Sequence, residues 1–157
     1  QLINSYKRMV AGYESPVYVS WARNNRSALI RVPIHKAGKA SSTRIEYRAL
    51  DSAANPYLAY SVLLAAGLKG IEDGYELPAE ADENLWSLDR DEARAAGLQR
   101  LPQDLREALD LMEGSELVRN TLGEHIFEWF LRNKREEWAA YQRCVTPFEI
   151  EQYLPIW

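Results

Sequence analysis

The chain has almost none of the residues that make disulfides or metal clusters. Its 157 residues include one cysteine, Cys144, and two histidines, His35 and His125. A lone cysteine excludes a disulfide within the chain and suits a reducing compartment, so a cytoplasmic location is expected. Its neighbours Arg143 and Val145 carry no nucleophile signature, and Cys144 reads as structural. Histidines ninety residues apart build no Cys/His metal site. No run of eighteen apolar residues occurs and no charged-then-apolar leader pattern opens the chain, so neither a membrane span nor a signal peptide is expected. The first residues, Gln1-Leu2-Ile3, run without a methionine straight into Asn4-Ser5-Tyr6-Lys7-Arg8, which reads as the interior of a longer protein.

What is present is a strong asymmetry of charge. Residues 1–50 hold nine Lys and Arg against two acids, Glu14 and Glu46, while the remainder holds ten bases against twenty-one acids. The overall net charge of −4 therefore hides a basic block followed by an acidic one. In Leu29-Ile30-Arg31-Val32 and Arg44-Ile45-Glu46-Tyr47-Arg48 charged and apolar residues alternate, the period of a strand with one buried face. Arg44, Glu46 and Arg48 then share a face, since side chains at i, i+2 and i+4 point the same way. Arginines lined up on one face repel one another and lose hydration, and are tolerated mainly where something strongly anionic sits before them. Guanidinium forks suit phosphate and carboxylate oxygens. Glu46 among them is either an internal counter-ion or a hard-oxygen ligand for Mg²⁺ or Mn²⁺. A nucleic-acid surface would be Lys-rich, exposed and interleaved with aromatics. Arginines spaced on apolar strands instead suggest a pocket for a small polyanion, with neither nucleic acid nor membrane as partner.

With 46% hydrophobic residues the chain can form one core. The expected fold class is α+β: short antiparallel or mixed strands in the first third carry the ligand-binding face and pack against a helical remainder. Its strand-rich half covers about residues 1–50 and its helical half about 55–157. Strands are expected at 17–21, 29–32 and 43–48, after a last helical turn at 4–9 stopped by Gly12. Residues 33–42 form a loop whose Lys36 and Lys39 are either solvated or reach an anion. Asn55 and Pro56 cap and open a helix that is apolar nearly all round, ends at Gly74 and should be buried across the sheet. The stretch 75–102 is acidic, with a short helix near 91–96. Helices follow at 103–113 and 115–122, broken by Gly114, and Gly123 opens the longest, to about Arg143. Its stripe of Ile126, Phe127, Phe130, Leu131, Trp138 and Tyr141 reads as core. Thr146-Pro147-Phe148-Glu149 starts a last short helix. The tail Tyr153-Leu154-Pro155-Ile156-Trp157 is apolar enough to be expected to dock.

Four blocks together resemble the C-terminal part of a type I bacterial glutamine synthetase catalytic domain. They are Asn4-Ser5-Tyr6-Lys7-Arg8 with Gly12-Tyr13-Glu14-Ser15-Pro16, Arg23-Asn24-Asn25-Arg26-Ser27 with Ile30-Arg31-Val32-Pro33, Arg44-Ile45-Glu46-Tyr47-Arg48, and Asp51-Ser52-Ala53-Ala54-Asn55-Pro56-Tyr57-Leu58-Ala59. Leu122-Gly123-Glu124-His125-Ile126-Phe127 is similar to the family but less specific. The resemblance implies ligation of ammonia to glutamate at the expense of ATP, with Mg²⁺ or Mn²⁺, in a homo-oligomer expected to be a double-ring dodecamer. By the same resemblance Arg8, Arg26 and Arg48 would meet glutamate or the acyl-phosphate made from it. Arg26, Arg31 and Arg44 would meet the phosphates of ATP, and Glu46 would ligate the metal. Glu14 would be the flap acid, catalytic together with Arg26, with Gly12 as hinge. Two departures stand out. Ser41 occupies a position where the family often has lysine, leaving Lys39 as a possible substitute. Trp86, in Asn84-Leu85-Trp86-Ser87-Leu88, stands where regulated members carry the tyrosine that is adenylylated, so adenylylation there is not expected. The alternatives are a relative that joins glutamate to an amine or polyamine, and a catalytically inert piece of the enzyme. The 157-residue chain by itself is expected to be inactive, with further metal ligands upstream.

Overall fold

The computed structural model describes residues 2–10, 13, 15–34, 38–81 and 85–156, without the side chains of Ala40 and Arg90. Gly12, Glu14, Lys36, Asn84 and Trp157 therefore lie outside the described residues. The architecture is mixed α+β, as expected. A 3₁₀ turn at Ile3–Arg8 leads to β1 (Trp21–Arg23), β2 (Ile30–Val32) and β3 (Glu46–Tyr47). Among the described residues five α-helices follow: α1 (Pro56–Glu72), α2 (Arg90–Ala95), α3 (Leu105–Glu113), α4 (Glu116–Tyr141) and α5 (Pro147–Tyr153).

The sheet is three-stranded and mixed, in the order β1-β2-β3, with β1 parallel to β2 and β2 antiparallel to β3. The first strand lies later than the sequence suggested. Residues 17–19 are extended but pair elsewhere: Val19 N–H donates to the Gln99 carbonyl at 2.7 Å and Leu101 N–H to that of Val17 at 2.8 Å. Val17 and Tyr18 are both buried, so this run has two covered sides and does not alternate. The third strand is shorter than expected because its partner, β2, offers only three residues, although Arg48 N–H still reaches the Leu29 carbonyl at 2.9 Å.

The helix boundaries follow local chemistry. The Asn55 side chain accepts from the Tyr57 and Leu58 N–H groups ahead of Pro56, as at a standard N-cap. Gly123 sits at φ 74°, ψ 154° inside α4, so α4 is two helical stretches meeting at a glycine, in line with the break expected there. Thr146 and Glu149 form a reciprocal capping box on α5. The principal core joins the 3₁₀ turn, the sheet, α3 and α4 through Tyr6, Met9, Leu29, Ala49, Leu105, Leu109, Phe127 and Leu131.

Two packing expectations need correction. Helix α1 is not buried: Tyr57 is 83% exposed, Tyr60 72% and Ile71 78%, and none of its residues is buried. Only one side of it, through Leu58, Ala59, Val62 and Leu63, faces a groove of about 210 Å³ shared with Val118, Leu122 and Phe130 of α4. The described residues offer α1 a partner on that side alone, so periodicity reported its apolar character correctly and its surroundings wrongly. Ile126 is half exposed although it was placed in the core stripe, whereas Phe127 and Leu131 are buried. In the apolar tail Tyr153, Leu154 and Ile156 are exposed, so whatever covers them is not among the described residues of this chain.

Candidate functional site

The sheet brings Arg31 and Glu46 directly opposite one another on neighbouring strands. Cross-strand partners in an antiparallel pair lie close enough for their side chains to meet. Arg31 Nη1 donates to Glu46 Oε2 at 2.8 Å, and Arg44 Nη2 donates to Glu46 Oε1 at 3.0 Å. One carboxylate is thus gripped from both sides by two guanidinium groups. The bond from Arg31 acts most strongly, and with the weaker bond from Arg44 and the charges of both guanidinium groups it outweighs the opposing effect of burial, holding the Glu46 carboxyl below the usual carboxylate range. Glu46 is ionised at neutral pH, and the group retains excess positive charge. Arg44, at 57% side-chain exposure, is the open end of this ladder, and Arg31, at 23%, the sheltered one. Arg31 Nε is buried with no acceptor among the described residues.

Arg8 arrives from the 3₁₀ turn. Its Nη1 donates to Ser15 Oγ at 2.7 Å and its Nη2 to the Ala49 carbonyl, which follows half-buried Arg48 at the end of β3. Its Nε is buried with no acceptor among the described residues. Nearby, burial pushes the Asp51 carboxyl up, but bonds from Ser5 and Ala53 N–H and the charge of Arg8 together bring it below its ordinary value.

Arg26 lies in the connection between β1 and β2 and is exposed. Its neighbours carry the structure. Asn25 Nδ2 donates to the Ala81 carbonyl at 2.8 Å, Ser27 N–H and Oγ both donate to Asn25 Oδ1, and Leu85 N–H donates to Ser27 Oγ at 3.0 Å. Asn24 takes a left-handed φ of 62°, which asparagine accepts more readily than most residues.

Arg8 thus reaches the residue after Arg48, while Arg31, Glu46 and Arg44 form one ladder. Glu14 lies outside the described residues, as does Lys36. Lys39 and Ser41 are both exposed. Arg23 belongs elsewhere, paired to Glu80 at 3.2 Å. Sequence reasoning missed the supports: Asn25, Ser27, Ser15 and Trp86, whose Nε1 donates to the Ser15 carbonyl at 3.1 Å. Asn25 and Ser27 sat inside a quoted motif, and their position flanking Arg26 was the available signal. Ser15 and Trp86 also lie in motifs named above, but nothing signalled that they meet, because 71 residues separate them in sequence.

Among the described residues no three His, Cys, Asp or Glu side chains gather to hold a metal ion. An ionised carboxylate whose oxygens each keep a free lone pair nevertheless fits a hard divalent cation as one ligand of several. No helix among the described residues is long and apolar enough to cross a membrane.

Residues 1–153 match the family model described as the glutamine synthetase catalytic domain. The chain is 54% identical over 156 residues to a Mycolicibacterium smegmatis glutamine synthetase, covering 99% of this chain and 35% of that protein. It is 46% identical over 153 residues to a Methanosarcina mazei glutamine synthetase, covering 98% of this chain and 34% of that protein. Among solved structures, a GmaS/ADP complex superposes with a TM-score of 0.80 at 34% identity, over 98% of this chain and 34% of that one. A cryo-electron-microscopy structure of Plasmodium falciparum glutamine synthetase gives 0.73 at 23% identity, over 96% and 37%, which supports the fold. The chain spans about a third of the length of these relatives.

Proposed function

Because the chain belongs to the glutamine synthetase family through its catalytic domain, we propose that the protein carrying it ligates ammonia to glutamate. In the first step a γ-carboxylate oxygen of glutamate attacks the γ-phosphorus of ATP. A new O–P bond forms, the bond to the bridging oxygen breaks, and ADP leaves. Ammonia nitrogen then attacks the acyl carbon of γ-glutamyl phosphate, and inorganic phosphate departs to give glutamine.

The observation that supports this most is the Arg31–Glu46–Arg44 ladder at the end of a sheet to which Arg8 is also tied. Phosphoryl transfer depends on positioned reactants and preorganised positive charge more than on covalent help from the protein. In this reading Arg31 and Arg44 bind ATP phosphates, and Arg8 and Arg48 hold the glutamate carboxylate. Arg26 meets the transferred phosphoryl and the acyl-phosphate. Its exposure leaves the guanidinium free to face a ligand, while Asn25 and Ser27 hold its backbone. Glu46 is the residue of this chain that would hold Mg²⁺ or Mn²⁺, whose chemistry is to neutralise phosphate charge during transfer. Glu14 is assigned to the flap, where a carboxylate takes a proton from ammonium and its segment shields the acyl-phosphate from water.

The bound ADP of the GmaS relative supports a nucleotide at the same fold. The apolar surface left open on α1 and the tail supports a larger homo-oligomeric protein, for which a double ring is the proposed form. The test is ADP release by the full-length protein with glutamate and ATP, comparing ammonium with putrescine and spermine as the nitrogen donor. Turnover with ammonium is the expected result. Turnover with the amines alone would make the protein a γ-glutamyl-amine ligase, and ADP release with neither would overturn the reading.

A further inference from the structure

We propose that Trp86 is a positioning residue for the glutamate-binding arginine, acting on Arg8 through Ser15. The inference rests on the assignment of Arg8 to glutamate made above. Trp86 Nε1 donates to the Ser15 carbonyl oxygen at 3.1 Å, and the hydroxyl of the same serine accepts from Arg8 Nη1 at 2.7 Å. Ser15 is 7% exposed, so it is fixed from its backbone on one side and its side chain faces the guanidinium on the other. The residue after it, Pro16, has no N–H and confines Ser15 to extended conformations, which limits how else the carbonyl can be held.

The indole has a firm base of its own. Leu85, the preceding residue, is 4% exposed, packs with Val17 and Tyr18, and donates its N–H to Ser27 Oγ at 3.0 Å. Trp86 therefore transmits the position of a packed segment to Ser15. An arginine holds a carboxylate well only when its planar fork is presented at the right angle. Of the five guanidinium N–H groups of Arg8, one on Nη1 goes to Ser15 and one on Nη2 to the Ala49 carbonyl. Those two internal bonds set the plane of the group, and the second N–H on each of Nη1 and Nη2 is left for a ligand. Removing the indole N–H frees the Ser15 carbonyl, lets the serine shift, and loosens one of the two bonds that set that plane.

The experiment measures kcat and the separate KM values for glutamate and ATP in the full-length protein carrying Trp86→Phe, Ser15→Ala, both together, or Arg8→Gln. Loss of one neutral hydrogen bond predicts a rise in glutamate KM of roughly threefold to tenfold for Trp86→Phe, with ATP KM within about twofold of the parent. Because the two act in series, the double variant should be no worse for glutamate than the worse single one. Should Trp86→Phe fail to fold, a benzothiophene analogue of tryptophan at position 86 keeps the ring shape, lacks the N–H, and carries the same expectation. An elevated glutamate KM for Arg8→Gln with none for the Trp86 variants overturns this inference alone. So does a rise in ATP KM equal to that for glutamate, or multiplied effects in the double variant. A flat glutamate response to Arg8→Gln overturns the assignment of Arg8, and this inference with it.

Discussion

Replacing Arg26 with alanine separates catalysis from folding more cleanly than any other change at this site. The side chain is exposed, and the bonds that shape its loop are made by Asn25 and Ser27. Truncation should therefore alter stability by no more than about 0.5 kcal/mol, as for other surface positions away from special contacts. Its effect on the reaction should be far larger. A donor aimed at charge that develops in the transition state is worth about 3–4 kcal/mol. At about 1.36 kcal/mol per tenfold, kcat should fall by roughly two to three orders of magnitude. The KM for glutamate should move much less, since the interaction strengthens as the phosphoryl group transfers. Arg26→Lys keeps the charge but loses the planar fork, and should fall between the two. A coupled assay of ADP release on the full-length protein, beside a thermal melt of each variant, measures both quantities. Near-normal kcat with a purely elevated KM would show that Arg26 binds substrate without touching the moving phosphoryl. A collapsed melting temperature would show that the side chain supports the fold.

Three further outcomes are expected. Glu46→Ala in the full-length protein should weaken Mn²⁺ binding measured by electron paramagnetic resonance; unchanged affinity would make Glu46 only the counter-ion of Arg31 and Arg44. Phe127→Ala, at a fully buried ring in the principal core, should cost about 3–5 kcal/mol in urea denaturation, and a loss under about 1 kcal/mol would contradict that packing. Burial, with added repulsion from Asp51 and Asp104, pushes the Tyr6 phenol from 10.0 up to about 12. Below about pH 10 the phenol is protonated in both states, and above it the unfolded chain releases a proton that the folded one keeps, so stability should fall as pH rises towards 12. Tyr6→Phe should flatten that alkaline slope, and an unchanged slope in a pH series of denaturation curves would assign it to another group.

Local chemistry made much of this protein legible without coordinates. The cap at Asn55 and Pro56, the capping box of Thr146 and Glu149 and the glycine break at Gly123 each depend on residues a few positions apart, and each appears where expected. The alternation around Arg31 and Glu46 likewise placed charged residues on strands, since a period of two is a property of the backbone itself. Partners distant in sequence were not legible. Periodicity marks a residue as apolar but cannot say what covers it, so α1 was expected to be buried and is covered on one side only. Nor can it say which segment an extended run will join, and 17–19 pairs with 99–101 rather than extending β1. The sequence alone determined which residues carry charge and where helices begin, because those depend on covalent neighbours. Only the tertiary structure decided that Glu46 lies between Arg31 and Arg44, that Arg8 braces on Ser15 and Ala49, and that Trp86 reaches Ser15. Trp86 and Ser15 are 71 residues apart, Arg8 and Ala49 41, and Arg31 and Glu46 15, and the packing that brings them within hydrogen-bond range is set by the whole fold.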